Sequence, residues 1–481
     1  MQQTKLLIGT EWVEASDGGA SVTLNPATSE VIGTFADATG TDVDEAVAAA
    51  RAGYESDAWR GMTPDERGRL LWRIAELLER DADEIAALET LDQGQPIFMS
   101  TGVNLPLAAQ VFRYYAGFAT KIDGRVAPIS IPGNLSYQRR VPLGVCALIT
   151  PWNFPLAIAA WKLAPALATG NSVILKPAEQ TPLSTVRLVE LCREAGVPNG
   201  VVNLLTGGPE VGKALVAHPG VDKVSFTGST EVGQHIVRAS AGNLKRVALE
   251  LGGKAPSIIC ADADIDAAVA GNLQGAVFNT GQACGAYTRF FVHRSRVDEF
   301  TSKIAAAADA LPIGPGQDPS TIIGPLVSQE HLDRVHAYVE SGQSQGAELV
   351  TGGCRVGGAL SAGFFYQPTV FTGVRDDMTI AREEIFGPVL AVMPYDDEDE
   401  VVARANDTDY GLVAVLWTKD LATAHTLPPR LHFGTVFVNQ LPLIDPASPW
   451  GGFGMSGWGR EFGEYSIDAF TETQSTFVNL G

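Results

Sequence analysis

At 481 residues the chain is too long for one compact core, and surface-to-volume scaling points to two or more domains. With 45% hydrophobic and 19% charged residues it has enough apolar matter to offset the entropy of folding, which excludes a disordered protein. Its formal net charge of −21 repels phosphate backbones and anionic membranes, and the one basic cluster, Gln138-Arg139-Arg140, is too small to reverse this, so neither nucleic acid nor membrane is expected as a partner.

Residues 1–9 have neither a basic leader with a long apolar run nor a small-residue cleavage site, which argues against secretion. Val43, Ala46, Val47 and Ala50, and then Leu70, Leu71, Ile74, Leu77 and Leu78, recur at helical spacing and predict two amphipathic helices. Residues 124–140 carry Pro132-Gly133-Asn134 between extended runs and predict an inserted hairpin. The most apolar stretch, 141–175, is broken by Asn153, Lys162 and four prolines, and reads as buried strand, loop and helix rather than a membrane span. Short β-rich runs at 145–150, 172–175, 201–205 and 223–226 each lead through a turn into a helix. Strands separated by helices imply a parallel sheet whose ligands gather at the carboxyl ends of the strands. A second alternating set follows Gly252, with strands at 257–260, 289–293, 389–394 and 435–439 and a helix at 296–310, so a second α/β domain is expected. Residues 471–480 alternate and are rich in Thr and Val. They and the hairpin are expected to be exposed edge strands, available for pairing in an oligomer.

Five cysteines, Cys146, Cys192, Cys260, Cys284 and Cys354, are scattered and odd in number, which implies no disulfide framework and suits a reduced cytoplasm. Cys284 is flanked by small residues in Thr280-Gly281-Gln282-Ala283-Cys284-Gly285-Ala286, which lets a substrate and a backbone N–H approach the sulfur, as a nucleophile requires. Asn153, in Thr150-Pro151-Trp152-Asn153-Phe154-Pro155, ends an apolar strand and offers an uncharged amide to a developing oxyanion. Glu250 lies between an apolar stretch and a double glycine, where partial burial would raise its pKa toward that of a useful general base. Taken singly, each has a plainer reading: a structural cysteine, a helix cap, a salt-bridge partner. No metal site is expected, since His331 and His336 are five apart and no H-E-x-x-H occurs; the histidines read as surface or core residues.

Together these peptides resemble the aldehyde dehydrogenase superfamily over nearly the whole chain. The carriers are 150–155, Lys176-Pro177-Ala178-Glu179-Gln180-Thr181-Pro182, Phe226-Thr227-Gly228-Ser229-Thr230-Glu231-Val232-Gly233, Glu250-Leu251-Gly252-Gly253-Lys254, the Cys284 peptide, Glu383-Glu384-Ile385-Phe386-Gly387-Pro388-Val389, and Ser456-Gly457-Trp458-Gly459-Arg460-Glu461.

The resemblance implies an α/β subunit in three parts. A variant Rossmann cofactor domain covers residues 1–119 and 143–252, a second α/β catalytic domain 253–455, and bridging segments for a homodimer or homotetramer 120–142 and 456–481. Residues 228–233 take the place of the usual glycine fingerprint, at a helix N-terminus suited to a pyrophosphate. The implied cofactor contacts are Thr150, Pro151, Trp152, Gly208, Gly212, Phe226, Thr227, Gly228, Ser229, Val232, Leu251 and Gly252, with Lys176 and Glu179 at the adenosine ribose and Glu384 and Phe386 at the nicotinamide end. A carboxylate at Glu179 accepts from a ribose 2′-hydroxyl and repels a 2′-phosphate, so NAD is expected over NADP. The implied mechanism is attack by Cys284 on an aldehyde, an oxyanion held by Asn153 and the Cys284 N–H, and hydrolysis of the thioester by water activated by Glu250. Lys162 and Glu461 match a proton path behind Glu250, and read equally as a structural ion pair. The implied substrate pocket is Phe154, Ile158, Trp161, Ala283, Gly285, Leu443, Ile444 and Trp450, which suits a medium or bulky hydrophobic aldehyde. Two positions depart from the family: Gly454 stands where it often has lysine, and Trp450 where it commonly has phenylalanine.

Overall fold

The structure, a computed structural model, describes residues 2–481 and is built on two large mixed sheets. The first has eight strands, and its five central members, Arg246–Glu250, Lys223–Thr227, Val145–Ile149, Ser172–Lys176 and Val202–Leu204, are parallel. The three inner strands, Lys223–Thr227, Val145–Ile149 and Ser172–Lys176, are five residues each and buried along their whole length, as parallel strands covered by helices on both faces must be. Among these five the chain starts at Val145–Ile149, steps outward through Ser172–Lys176 to Val202–Leu204, then returns to Lys223–Thr227 on the other side of that first strand. The loops leaving Val145–Ile149 and Lys223–Thr227 therefore diverge at a topological switch point, and a crevice opens between them.

The second sheet has seven strands in the order Glu348–Thr351, Thr369–Thr372, Val389–Tyr395, Tyr287–His293, Ala255–Ile259, Val413–Trp417 and Thr435–Val438, parallel except at the first pair. Only residues 251–254 separate Arg246–Glu250 from Ala255–Ile259, so the carboxyl end of one sheet runs directly into the amino end of the other. The expectation that ligands gather at carboxyl ends thus fits the first sheet alone. The second turns its amino ends to the crevice, with Cys284 just before Tyr287–His293 and Phe386 just before Val389–Tyr395.

Both predicted amphipathic helices are present, as Gly40–Glu55 and Pro64–Arg80, with the named apolar residues buried. The hairpin forms from Arg125–Ala127 and Asn134–Pro142. One expectation is corrected: Asn134–Pro142 and the tail strand Thr471–Asn479 are not two separate exposed edges, because they pair antiparallel with each other within the chain. Their nine-residue register satisfies the facing backbone groups of both and leaves only the outer edges of a three-stranded sheet open. Gly457–Trp458 lies apart from that sheet and pairs with Arg246–Glu250. Among the described residues, no helix is long and apolar enough to cross a membrane.

Candidate active site

Cys284 is placed by a strained turn. The helix Ile265–Val277 is followed by three successive left-handed residues, Asn279 (φ 49°), Thr280 (φ 58°) and Gly281 (φ 76°). Two of them bear side chains, so the conformation is unfavourable unless its surroundings hold it. Asn279 Nδ2 donates to the Asn153 carbonyl (2.8 Å), and Thr280 Oγ1 donates to the Gly324 carbonyl (3.1 Å). At Gly281 an added Cβ would lie 2.4 Å from the Gly387 carbonyl carbon, so only glycine permits that approach.

Asn153 is laced to the same turn, its Nδ2 donating to the Gln282 carbonyl at 3.0 Å. An amide nitrogen has two hydrogens, so a second donor remains for an oxyanion. The fully buried helix Pro155–Ala168 that follows has no side-chain cap from its own N-cap residue, Phe154. The buried Glu89 supplies one from a distant helix: its Oε2 accepts the Leu156 N–H (3.3 Å), while its Oε1 accepts from Gln95 and Asn104.

Two cavities meet at Cys284, the one residue that lines both. The first, about 310 Å³, opens at the switch point. Its walls include the expected Pro151, Trp152, Asn153, Thr227, Gly228, Ser229, Leu251, Gly252, Glu384 and Phe386. They also include Gln180, Ser328 and Arg334, which the sequence does not single out, and His331, which the sequence reading placed only as a surface or core histidine. The other expected cofactor residues sit beyond this lining. Thr150 donates its N–H to the Lys176 carbonyl (3.0 Å), and Lys176 Nζ is 3.8 Å from Glu179. Gly208 donates to Asp37 Oδ1 (3.3 Å), and a Cβ on Gly212 would rest 3.8 Å from the Lys176 side chain. Phe226 fills the space beside Gly228, where a Cβ would meet its ring at 2.4 Å, and the N–H of the exposed Val232 donates to Ser229 Oγ (3.3 Å).

The second cavity, about 380 Å³, is lined by all eight expected pocket residues. Gly102, Val103 and Leu107 join them, from a π-helical turn at Ser100–Asn104 and the helix Leu105–Phe118, and Phe278 completes that wall. No charged side chain lines it. Trp450 packs on Gly285, where a Cβ would be 3.3 Å from the indole ring. Gly454 has φ 55°, and a Cβ there would lie 2.7 Å from the Asp409 carbonyl oxygen, which accounts for glycine at this departure from the family pattern.

Electrostatics follow from burial. The Cys284 thiol is pushed up to about 12, by desolvation first and by the Glu384 and Glu250 carboxylates second. Glu250 is held well above the ordinary carboxylate range by burial and then by Glu461, with Lys162 and Arg460 opposing. It lines neither cavity, its Oε2 has no hydrogen-bond partner, and a Cβ on Gly451 would be 2.8 Å from its Oε1. Lys162 and Glu461 form a buried ion pair, with Lys162 also donating to Ser225 Oγ (3.2 Å). Glu384 accepts the Gly253 N–H (2.9 Å) and fills the space a side chain on Gly252 would need; burial raises it to about 7. Among the described residues, no group of three His, Cys, Asp or Glu side chains is arranged to hold a metal ion.

Comparison with known proteins agrees with this arrangement. The profile of the aldehyde dehydrogenase family matches residues 12–476. The chain is 48% identical over 477 residues to the putative aldehyde dehydrogenase DhaS of Bacillus subtilis, covering 99% of this chain and 96% of that one. It is 48% identical over 480 residues to the mitochondrial aldehyde dehydrogenase of Homo sapiens, covering 99% and 92%. Among solved structures, the NAD+ complex of an aldehyde dehydrogenase from Bacillus cereus superposes with a TM-score of 0.98 at 45% identity, covering 100% of this chain and 97% of that one.

Proposed function

The chain belongs to the aldehyde dehydrogenase family, and from that premise we propose that it oxidises hydrophobic aldehydes to carboxylic acids with NAD. The observation that carries this reading is the position of Cys284, shared by a polar crevice at the switch point and an uncharged tunnel. The crevice suits a dinucleotide: Gly228 and Ser229 open the helix Thr230–Ser240, whose N-terminus favours a pyrophosphate. The Glu179 carboxylate beside Lys176 favours a free ribose hydroxyl over a 2′-phosphate. When bound, the dinucleotide supplies the hydride acceptor.

The chain's own residues do the rest. Cys284 Sγ gives its proton to the Glu250 carboxylate and adds to the aldehyde carbon, and the resulting oxyanion takes hydrogen bonds from the free Asn153 amide hydrogen and the Cys284 N–H. After oxidation the acyl group is a thioester on Cys284. Glu250 takes a proton from water, the hydroxide adds to the thioester carbon, and the C–S bond breaks to release acid and thiol. For this the carboxylate turns from its buried position toward the sulfur, and glycine at 451 leaves room beside it. Between the two steps the proton on Glu250 passes to the carboxylate of Glu461, which is paired with Lys162 and acts electrostatically on Glu250.

The tunnel's uncharged lining supports a medium or bulky aliphatic or aromatic aldehyde, because a carboxylated substrate would be desolvated there without a cation. The test is NADH formation by the purified protein with hexanal, benzaldehyde and succinic semialdehyde, alongside the same panel with NADP and with Cys284→Ala. The expected result is a higher kcat/KM for the two uncharged aldehydes, preference for NAD, and no turnover in the variant. Preference for succinic semialdehyde would overturn the substrate class, and a Cys284→Ala enzyme of normal activity would overturn the mechanism.

A further inference from the structure

Phe386 lines the crevice with its backbone in the left-handed region (φ 63°), a conformation that a residue with a side chain keeps only under restraint. Its carbonyl oxygen is 2.7 Å from His331 Nε2, on the helix Gln329–Ser344. A carbonyl only accepts, so this nitrogen carries the hydrogen. Burial lowers the imidazole to about 4, which keeps the ring neutral at ordinary pH with its proton on that side. His331 is itself seated in the first turn of its helix, where its N–H donates to the N-cap Ser328 Oγ (3.2 Å).

The surroundings leave the Phe386 segment little freedom. Trp152, His331 and Phe386 form a closed triangle of edge-to-face rings, with centroids 5.2, 5.3 and 6.1 Å apart. One helical turn beyond His331, Val335 bounds the next residue, since a Cβ on Gly387 would lie 2.6 Å from a Val335 methyl. On the opposite side Gly387 abuts Gly281, in the strained turn that leads to Cys284. The 386–387 backbone is thus gripped between one helix face and the nucleophile's own loop.

We propose that His331 is a positioning residue: its Nε2–H holds the Phe386 carbonyl, and thereby fixes the Phe386 ring relative to Cys284 where the nicotinamide end of the dinucleotide binds. This rests on the reading of the crevice as a dinucleotide site. Without the bond, the Phe386 peptide relaxes and the ring no longer presents one face to the ligand. AMP, which lacks the nicotinamide half, is indifferent to that change.

The test compares His331→Phe, which keeps an aromatic ring and loses the donor, with His331→Gln, whose amide restores one. Binding of NAD and of AMP is measured by calorimetry without aldehyde, and kcat with hexanal. His331→Phe is expected to bind NAD roughly tenfold more weakly, the worth of one hydrogen bond, with AMP binding within about twofold of wild type; His331→Gln is expected to recover most of the NAD affinity and kcat. Wild-type NAD affinity and kcat in His331→Phe, parallel loss of AMP and NAD binding, or a His331→Gln no better than His331→Phe would each overturn the proposal. A wild-type protein that binds AMP but no nicotinamide dinucleotide would instead overturn the reading of the crevice beneath it.

Discussion

Glu250 is buried at the end of its strand with one carboxylate oxygen lacking any donor, so ionising it in place costs desolvation that no hydrogen bond offsets. Its folded pKa is raised above the unfolded value, and the folded state therefore holds the proton more tightly. The associated stability is fully present below the ordinary carboxylate range and is lost as pH rises through the folded pKa. Glu250→Gln removes that loss. The variant is expected to melt at a higher temperature than wild type at pH 8, with the gap closing toward pH 5, as read by thermal unfolding at both values. It is also expected to release a first equivalent of NADH at near-normal rate and then turn over slowly, as read in a stopped-flow burst; normal steady-state turnover would exclude Glu250 as the base. Cys284, Asn153 and Glu250 can be named as candidates from sequence because each sits in a short peptide whose neighbours suit the proposed chemistry, and the structure puts Cys284 and Asn153, but not Glu250, in the crevice lining. His331 cannot be named in this way, since its partner is 55 residues away and a lone histidine on a helix has no local signature.

Elements differ in how plainly their residues announce them. The buried parallel strands are uninterrupted apolar runs, so Val145–Ile149 and Ser172–Lys176 were readable to within a residue. The strands Gln2–Thr4 and Leu6–Ile8 are three residues each and owe their place in the sheets to distant partners, Gly33 to Phe35 for the first and Leu204 for Leu7 in the second. The turn before Cys284 is likewise invisible locally, because its left-handed residues are held by Asn153, Gly324 and the close approach of Gly387. Gly281→Ala tests that element. It adds a methyl into the Gly387 backbone and a penalty for φ 76°, and is expected to destabilise the protein by about 2–4 kcal/mol. Any folded fraction should show a lower kcat with AMP affinity retained, since the crevice's far end is untouched. Wild-type stability and kcat would mean that the turn does not set the position of the sulfur.

At the scale of the whole molecule, the three-stranded sheet leaves Val126, Leu135, Tyr137 and Phe477 exposed, with Ile131 in its connecting loop and Leu480 just past its last strand. Apolar side chains exposed on a sheet with open edges are what an assembly surface would require, and association through this sheet is the prediction. The protein is expected to run in gel filtration with light-scattering detection at a multiple of its 50.9 kDa chain mass, and Phe477→Asp with Leu480→Asp to shift it to a smaller species. A wild-type mass of one chain would remove the assembly reading.

The same sheet bears on the order of folding. Arg139 and Gln474 meet across 335 residues of chain, and closing so long a loop is entropically costly until the intervening sheets have condensed. The tail strand is therefore expected to be among the last parts to dock. If copies of the chain associate through this sheet, a partially folded chain lacks the surface needed to join the assembly.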